Sequence, residues 1–439
     1  MDKETVIQKV KSEKIEFIDL MFSDLFGHLK NVTISPRELP DCLGSGKWFD
    51  GSSIEGFRRI HESDMLLIPD LSTYILLPWL RNGKNVARLM CDVYDPDKTP
   101  FAGDPRHVLR QVEEKAKEKG CFYHIGPEIE FFLFRSKENR TYHDTAGYFD
   151  FSPRDFATDI RAVMASTLEK LGINVEMTHH EVAPSQHEID IEYSEALKKA
   201  DEVMALKQTI KTVANDNGLN ATFMPKPIFG INGSGMHIHQ SIFDKKGENL
   251  FYDKKDKYRL SPLAYHFMGG QLKHISELAA VLCPTVNSYK RLVRGYEAPV
   301  YICWGQRNRS ALIRVPKYSE GRERSTRLEL RCPDPSCNPY LAFAVMLAAG
   351  LKGIEEEIEP PDAVEEDVYG FDDSKLEKFY IKTLPADLGE AIQHFKRSKL
   401  MRDTLGEHMF NKYLEIKKTE WKEFQRSVTD WELDRYKNL

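Results

Sequence analysis

Four short segments carry Glu, His or Arg at every second position, and such an alternation is used only if each segment folds as a strand with one charged face. In GPEIEFFLF, Glu128 and Glu130 point one way while Ile129 and Phe131 point the other. In HHEVAPSQHEIDIEY, Glu188, Asp190 and Glu192 oppose Ile189, Ile191 and Tyr193, with Glu181 ahead of them across a turn at Pro184. His237, His239 and Ser241 align in GSGMHIHQS, as do Arg327, Glu329 and Arg331 in TRLELRCP. Polar alternation by itself describes the solvated face of an antiparallel sheet. Solvated faces mix Lys, Thr, Ser and Gln, however, whereas these positions hold side chains that bind cations or anions.

If those faces converge, the carboxylates cannot all stay ionised without a cation between them. A carboxylate-rich donor set with an occasional imidazole suits Mg²⁺ or Mn²⁺ rather than zinc or copper. The string HHEVAPSQH is no zinc-protease helix, because Pro184 interrupts it. A second, basic set comprises Arg291, Arg309, Arg314, Arg327 and Arg331, whose planar guanidinium groups match phosphate and carboxylate oxygens. Arginine beside a metal cluster suggests a nucleotide phosphate tail. There is no Walker A sequence, and GINGSGMH lacks the third glycine of a dinucleotide fingerprint, so any ATP here must be held by metal and arginine.

The 439 residues suggest roughly two or three domains. With 41% hydrophobic and 30% charged residues the balance is globular, and a net charge of −6 gives no overall attraction to nucleic acid. No apolar run approaches the ~20 residues of a membrane span, and the first residues lack a secretory apolar core. The seven cysteines are scattered with no CxxC pair, which fits reduced thiols in the cytoplasm.

Residues 1–103 read as a small β-rich domain, with a hairpin turning near Gly27 and a strand at VARLMCDVYD. The boundary is DPDKTPFAGDP, after which Asp104 caps a helix whose stripe is Val108, Leu109, Val112 and Ala116. The same punctuation at Ser152-Pro153 predicts a helix with stripe Phe156, Ile160, Val163, Leu168 and Leu171. Further helices are expected at 194–216, 261–282 and 336–353, and the larger domain, 104–439, is expected to be α+β. Helices within 362–439 should dock their apolar faces on the body or on another subunit.

Seven strings resemble, in order, the class I glutamine synthetases of bacteria and archaea: FDGSSIEGF, GPEIEFFLF, HHEVAPSQHEID, ATFMPKPIFGINGSGMHIHQS, NSYKRLVRGYEAP, RNRSALIRVP and RLELRCPDPSCNPYLAF. The resemblance implies a β-grasp domain, a catalytic α/β domain around a curved antiparallel sheet of the glutamine synthetase/guanido kinase type, and a dodecamer of two hexameric rings. In that family the small domain of one subunit completes the active site of the next. Carried over, one divalent cation would be held by Glu130, Glu181 and Glu188 and another by Glu128, His237 and Glu329. Arg309, Arg314 and Arg327 would serve ATP, with His239 and Ser241 along the nucleotide and Tyr193 near its adenine. Arg291, Arg331, Asn232 and Gly233 would hold glutamate.

Asp50 matches the base that deprotonates ammonium, Ser53, Tyr148 and Glu181 help form the cation pocket, and Glu297 matches the flap residue that closes over the intermediate. The implied reaction makes γ-glutamyl phosphate from glutamate and ATP, then glutamine from that intermediate and ammonia. Arg294 stands where many relatives have proline, the tyrosine segment of the adenylylated subtype is absent, and Arg59 resembles a position linked to glutamine feedback. A regulatory protein partner is a further expectation. Two alternatives share much of this pattern: a γ-glutamyl ligase for a larger amine such as a polyamine, and an inactive assembly protein. Retention of Asp50, Tyr148 and Glu297 favours ammonia over the first. All six metal positions are present, which disfavours the second.

Overall fold

The computed structural model describes residues 1–52, 54, 56, 64–135, 141–294 and 298–439. Ser53, Arg59 and Glu297 lie outside the described residues. The N-terminal sheet is built from β1 (Ile15–Ser23), β2 (Leu29–Ile34), β3 (Lys47–Asp50), β4 (Asp64–Pro69), β5 (Ile75–Leu76) and β6 (Asn85–Tyr94). Its order is β2-β1-β6-β4-β3, with β5 on β6 and β1 parallel to β6. The β1–β2 turn uses Gly27 at φ 78°, where a Cβ would lie 2.8 Å from the Cα of Asn338. Asn338 is the rivet between the two sheets' surroundings. Its Nδ2 donates to the Asp24 and Leu25 carbonyls at 3.1 and 3.2 Å, and its Oδ1 caps the helix Pro339–Glu355.

The larger sheet has ten strands: β7 (Phe122–Phe134), β8 (Val175–His180), β9 (Gln186–Ile191), β10 (Ser194–Glu195), β11 (Asn220–Thr222), β12 (Met236–Phe243), β13 (Tyr301–Gly305), β14 (Ala311–Arg314), β15 (Leu328–Leu330) and β16 (Lys382–Thr383). The path is β16-β13-β14-β15-β12-β7-β9-β8, with β10 and β11 on β7, and every pairing except β13–β14 is antiparallel. The sheet curls into a half-barrel. Its apolar-face residues Ile129, Phe131, Ile189, Ile238 and Leu330 are buried in one core with apolar residues of the helices Pro105–Glu118, Ala196–Asp216, Pro262–Leu282 and Pro339–Glu355. With one face sealed this way, the alternate residues are left on the other face.

Asp104 caps its helix as expected, accepting from the Arg106 N–H at 3.0 Å. The next helix departs from expectation: it runs Thr158–Lys170, so Phe156 precedes it, and Phe156 and Val163 are exposed. Met164, Leu168 and Arg161 are the buried positions. The face is rotated because Arg161 is drawn inward by Asp155 at 2.6 Å and by Nδ1 of His187 at 2.9 Å. Near the C-terminus, Lys399–Arg426 breaks at Gly406, φ 74°, and buries Met401, Leu405, Met409, Phe410 and Tyr413. Among the described residues no helix is long and apolar enough to cross a membrane.

Candidate active site

Strand register, more than sequence proximity, assembles the charged face. Glu128 on β7 lies opposite His237 on β12 and opposite Asp190 on β9. One step along, Glu130 lies opposite Glu188, which in turn faces His179 on β8. Across β12, His239 faces Glu329 on β15, and Glu329 faces Arg314 on β14. Side chains directly opposite on an antiparallel pair have Cβ atoms roughly 5 Å apart, so these pairings bring acids, imidazoles and guanidinium groups into mutual contact.

Except for Asp190 and His239, these residues line a cavity of about 430 Å³. Glu128, Glu130, Glu181, Glu188, Glu329, His237, Tyr148, Asn232, Gly233, Arg291, Arg309, Arg314 and Arg331 all contribute to its wall. Asp50 does not: it sits exposed at the end of β3, where its Oδ1 accepts from the Ser52 N–H at 2.8 Å. Tyr193, His239, Ser241 and Arg327 also fall outside the lining of this cavity. Tyr193 stacks on Phe243 with the rings 5° from parallel, and Ser241 donates to the Thr326 carbonyl at 2.9 Å. Arg327 can only donate, so its 3.0 Å contact makes Nδ1 of His239 an acceptor and puts the ring proton on Nε2. That proton is then given to Glu128 at 2.6 Å.

The electrostatics divide the acids into two sets. Burial works to raise the Glu128 carboxyl, but hydrogen bonds from His237 and His239 outweigh it and hold the group below its usual range. Glu329 is likewise held down against burial by His239, Arg331 and His237, with Arg314 at 2.8 Å and Arg331 at 3.1 Å. Glu130 behaves in the opposite way, pushed up to about 8 by burial and by Glu181. Burial and the surrounding glutamates raise Glu188 well above the ordinary value, and burial with Glu188 and Glu128 pushes Asp190 up to about 10. Acids this buried and this close hold protons that another positive charge among them would displace.

A divalent cation would supply that charge. Glu128, His237 and Glu329 offer donor atoms within 4.8 Å of one another, and so do His179, Glu188 and Asp190. Among the described residues the Oδ1 atom of Asp190 is buried without a hydrogen-bond partner. Hard carboxylate oxygens with one imidazole are the donor chemistry of Mg²⁺ and Mn²⁺ sites.

The sequence alone does not single out Gln186, while it places Asp190 on the charged face and His179 in the same string without giving either a role. Gln186 donates to Glu130 at 2.8 Å and to the Gly233 carbonyl at 3.0 Å, tying an acid to the adjacent loop. His179 contacts Glu188 at 3.1 Å, and Asp190 sits beside them. Gln186 and Asp190 share the phase of Glu188, so the period-two test reaches them. Glu192, of the same phase, lies past the end of β9, is exposed, and accepts from Asn174 instead.

The loop bearing Asn232 and Gly233 is tightly framed. A Cβ on Gly233 would lie 2.1 Å from the Pro225 carbonyl oxygen, a backbone atom that cannot swing aside. Gly233→Ala is therefore expected to cost about 1–3 kcal/mol of stability, seen as a lower denaturant midpoint at unchanged m-value.

Family models match along most of the chain: one described as glutamine synthetase, catalytic domain, covers residues 102–436, and one described as glutamine synthetase, beta-Grasp domain, covers 14–96. The chain belongs to the glutamine synthetase family. It is 51% identical to the glutamine synthetase of Thermotoga maritima, with 99% of each chain covered. Against that of Clostridium saccharobutylicum it is 49% identical, covering 99% of this chain and 98% of the relative. Among solved structures, GmaS in complex with ADP superposes with a TM-score of 0.91 at 32% identity, and the Plasmodium falciparum glutamine synthetase with 0.89 at 25%, each over 99% of both chains. Glutamine synthetases use ATP and divalent metals, in keeping with the acids and guanidinium groups of this cavity.

Proposed function

We propose that this chain is a glutamate–ammonia ligase, forming glutamine from glutamate, ammonium and ATP through γ-glutamyl phosphate. The observation that carries the reading is the meeting of five carboxylates, two imidazoles and four arginines in one cavity, in a chain half identical from end to end to curated glutamine synthetases. The metals are Mg²⁺ or Mn²⁺, with Glu130, Glu181 and Glu188 holding one and Glu128, His237 and Glu329 the other. Bound there, divalent cations supply charge neutralisation for the phosphoryl group in transfer.

The chain's own residues do the rest. Arg291, Arg331, Asn232 and Gly233 seat glutamate, while Arg309 and Arg314 face the phosphates, where guanidinium groups act on charge developing in the transition state. His239, Ser241, Arg327 and Tyr193 extend the nucleotide site along β12. Phosphorylation turns the γ-carboxylate into an acyl donor with a good leaving group. Ammonium has no lone pair until it loses a proton, and Asp50 of an adjacent subunit accepts it. Ser53, Tyr148 and Glu181 surround the cation, and Glu297 closes over the intermediate and excludes water. The exposure of Asp50 and its absence from its own chain's cavity support a site completed between subunits, with the small domain, residues 1–103, reaching the catalytic domain, 104–439, of its neighbour. The subtype is class I and non-adenylylated, the assembly a dodecamer in the cytoplasm, with Arg59 a feedback position and a regulatory protein a further partner.

Metal binding should release protons. At pH 7 the metal-free protein holds a proton on Glu130, raised to about 8, and coordination requires that group as a carboxylate. Titrating Mn²⁺ into weakly buffered protein should acidify the solution at pH 7, less so as the pH rises through about 8; no release at pH 7 contradicts the assignment.

The reading is tested by ADP release with glutamate and ATP, comparing ammonium with hydroxylamine, short amines and a polyamine. Ammonium and hydroxylamine should be the good acceptors. A polyamine that outperforms ammonium would identify a γ-glutamyl ligase for larger amines, and no ADP release with any acceptor would leave an assembly protein.

A further inference from the structure

A second cavity, of about 410 Å³, lies apart from the carboxylate cluster, where the turn at Gly27 meets the catalytic domain. Its charged lining is unbalanced. Lys417 is matched by Glu420 at 2.8 Å, whereas Lys207 and Lys211 form no ion pair among the described residues. These two lysines stand one turn apart on the helix Ala196–Asp216, and both ammonium groups lie over the ring of Phe223, at 6.0 and 5.6 Å. Lys207 also donates to the Cys337 carbonyl at 3.3 Å. Like charges four residues apart on a helix repel, and burial lowers both ammonium groups from their ordinary range. Phe26, Pro284, Leu341 and Tyr413 supply apolar wall. An uncompensated cationic pair backed by apolar surface is complementary to a small organic anion.

The same cavity touches the frame of the Asn232–Gly233 loop. Asn287, in its lining, accepts from the Lys226 N–H at 2.8 Å and donates to the Lys226 carbonyl at 3.0 Å. Pro225, also in the lining, accepts from the Ser234 N–H at 2.8 Å and is the residue against which Gly233 is packed. Anything that shifts Asn287 or Pro225 shifts that loop.

We propose that this cleft is an effector site for a small organic anion, a carboxylate or phosphate monoester with an apolar body, whose binding changes glutamate affinity through Asn287 and Pro225. The binding half stands alone; the coupling half rests on the reading of Asn232 and Gly233 as the seat of glutamate. The test uses phenyl phosphate and phenylacetate as probes on the full-length assembled protein. Calorimetry is run with saturating ADP and Mg²⁺ to block phosphate sites in the catalytic cavity, for the parent, Lys207→Gln/Lys211→Gln and Lys211→Glu. One probe should bind saturably to the parent, the tighter of the two identifying the headgroup, and should weaken about tenfold or more in both variants. In the parent only, that probe should move the KM for glutamate about fivefold or more in either direction while kcat stays fixed. Binding of neither probe, or equal binding to parent and variants, overturns the site. Lysine-dependent binding with an unmoved KM overturns the effector role. Calorimetry needs no turnover, so a failure of the ligase reading is told apart from a failure of the site.

Discussion

Glu329→Ala lowers glutamine formation by about 10²–10³-fold or more, and the loss falls on kcat rather than on glutamate KM. Glu329 is nearly fully buried and central: Arg314 and Arg331 both pair with it, His239 faces it across the β12–β15 register, and His237 lies 3.9 Å away. Removing it takes one donor from the Glu128–His237 cluster and leaves two guanidinium groups without their shared carboxylate. Stopped-flow measurement of phosphoryl transfer alone should show the same loss, because the damage precedes amide formation. Full activity in this variant would mean that the cluster is structural.

Asp50→Asn produces a second large effect with a different signature. The expected loss with ammonium is about 10²–10⁴-fold, while hydroxylamine, which already carries a free lone pair at neutral pH, keeps most of its rate. The Asp50→Asn and Glu329→Ala variants should also rescue each other. In a randomly mixed ring about a quarter of the sites receive an intact cavity from one subunit and an intact Asp50 from the next. Co-expression of the two inactive variants is thus expected to restore activity to that level. Mixtures as inactive as either parent would place Asp50 outside its neighbour's site.

The face that carries the site was legible because period two is a property of any strand: Glu128, Glu130, Glu188, His237 and Glu329 could be picked out without knowing which strands are neighbours. The register that makes Glu128 face both His237 and Asp190 was not legible, since it depends on pairings between residues 62 and 109 positions apart along the chain. Asp190 and Glu192 have the same phase, and only the end of β9 at Ile191 separates the buried acid from the exposed one. The rotated helix at 158–170 fails for the same kind of reason. Its apolar spacing is helical, but Arg161 turns inward toward Asp155 and toward His187, which lies on β9. Gln186 was visible as a polar residue in phase, yet nothing local indicates that its amide links Glu130 to the Gly233 loop.

The central claim is that acids from separate strands cage paired divalent cations. Anomalous scattering from crystals of the intact assembly grown with Mn²⁺ and ADP tests it directly. The account predicts two manganese peaks per chain, one against Glu128, His237 and Glu329 and the other against Glu130, Glu181 and Glu188. Manganese found only on the outer surface, with those six side chains bound to water or to one another, would contradict it.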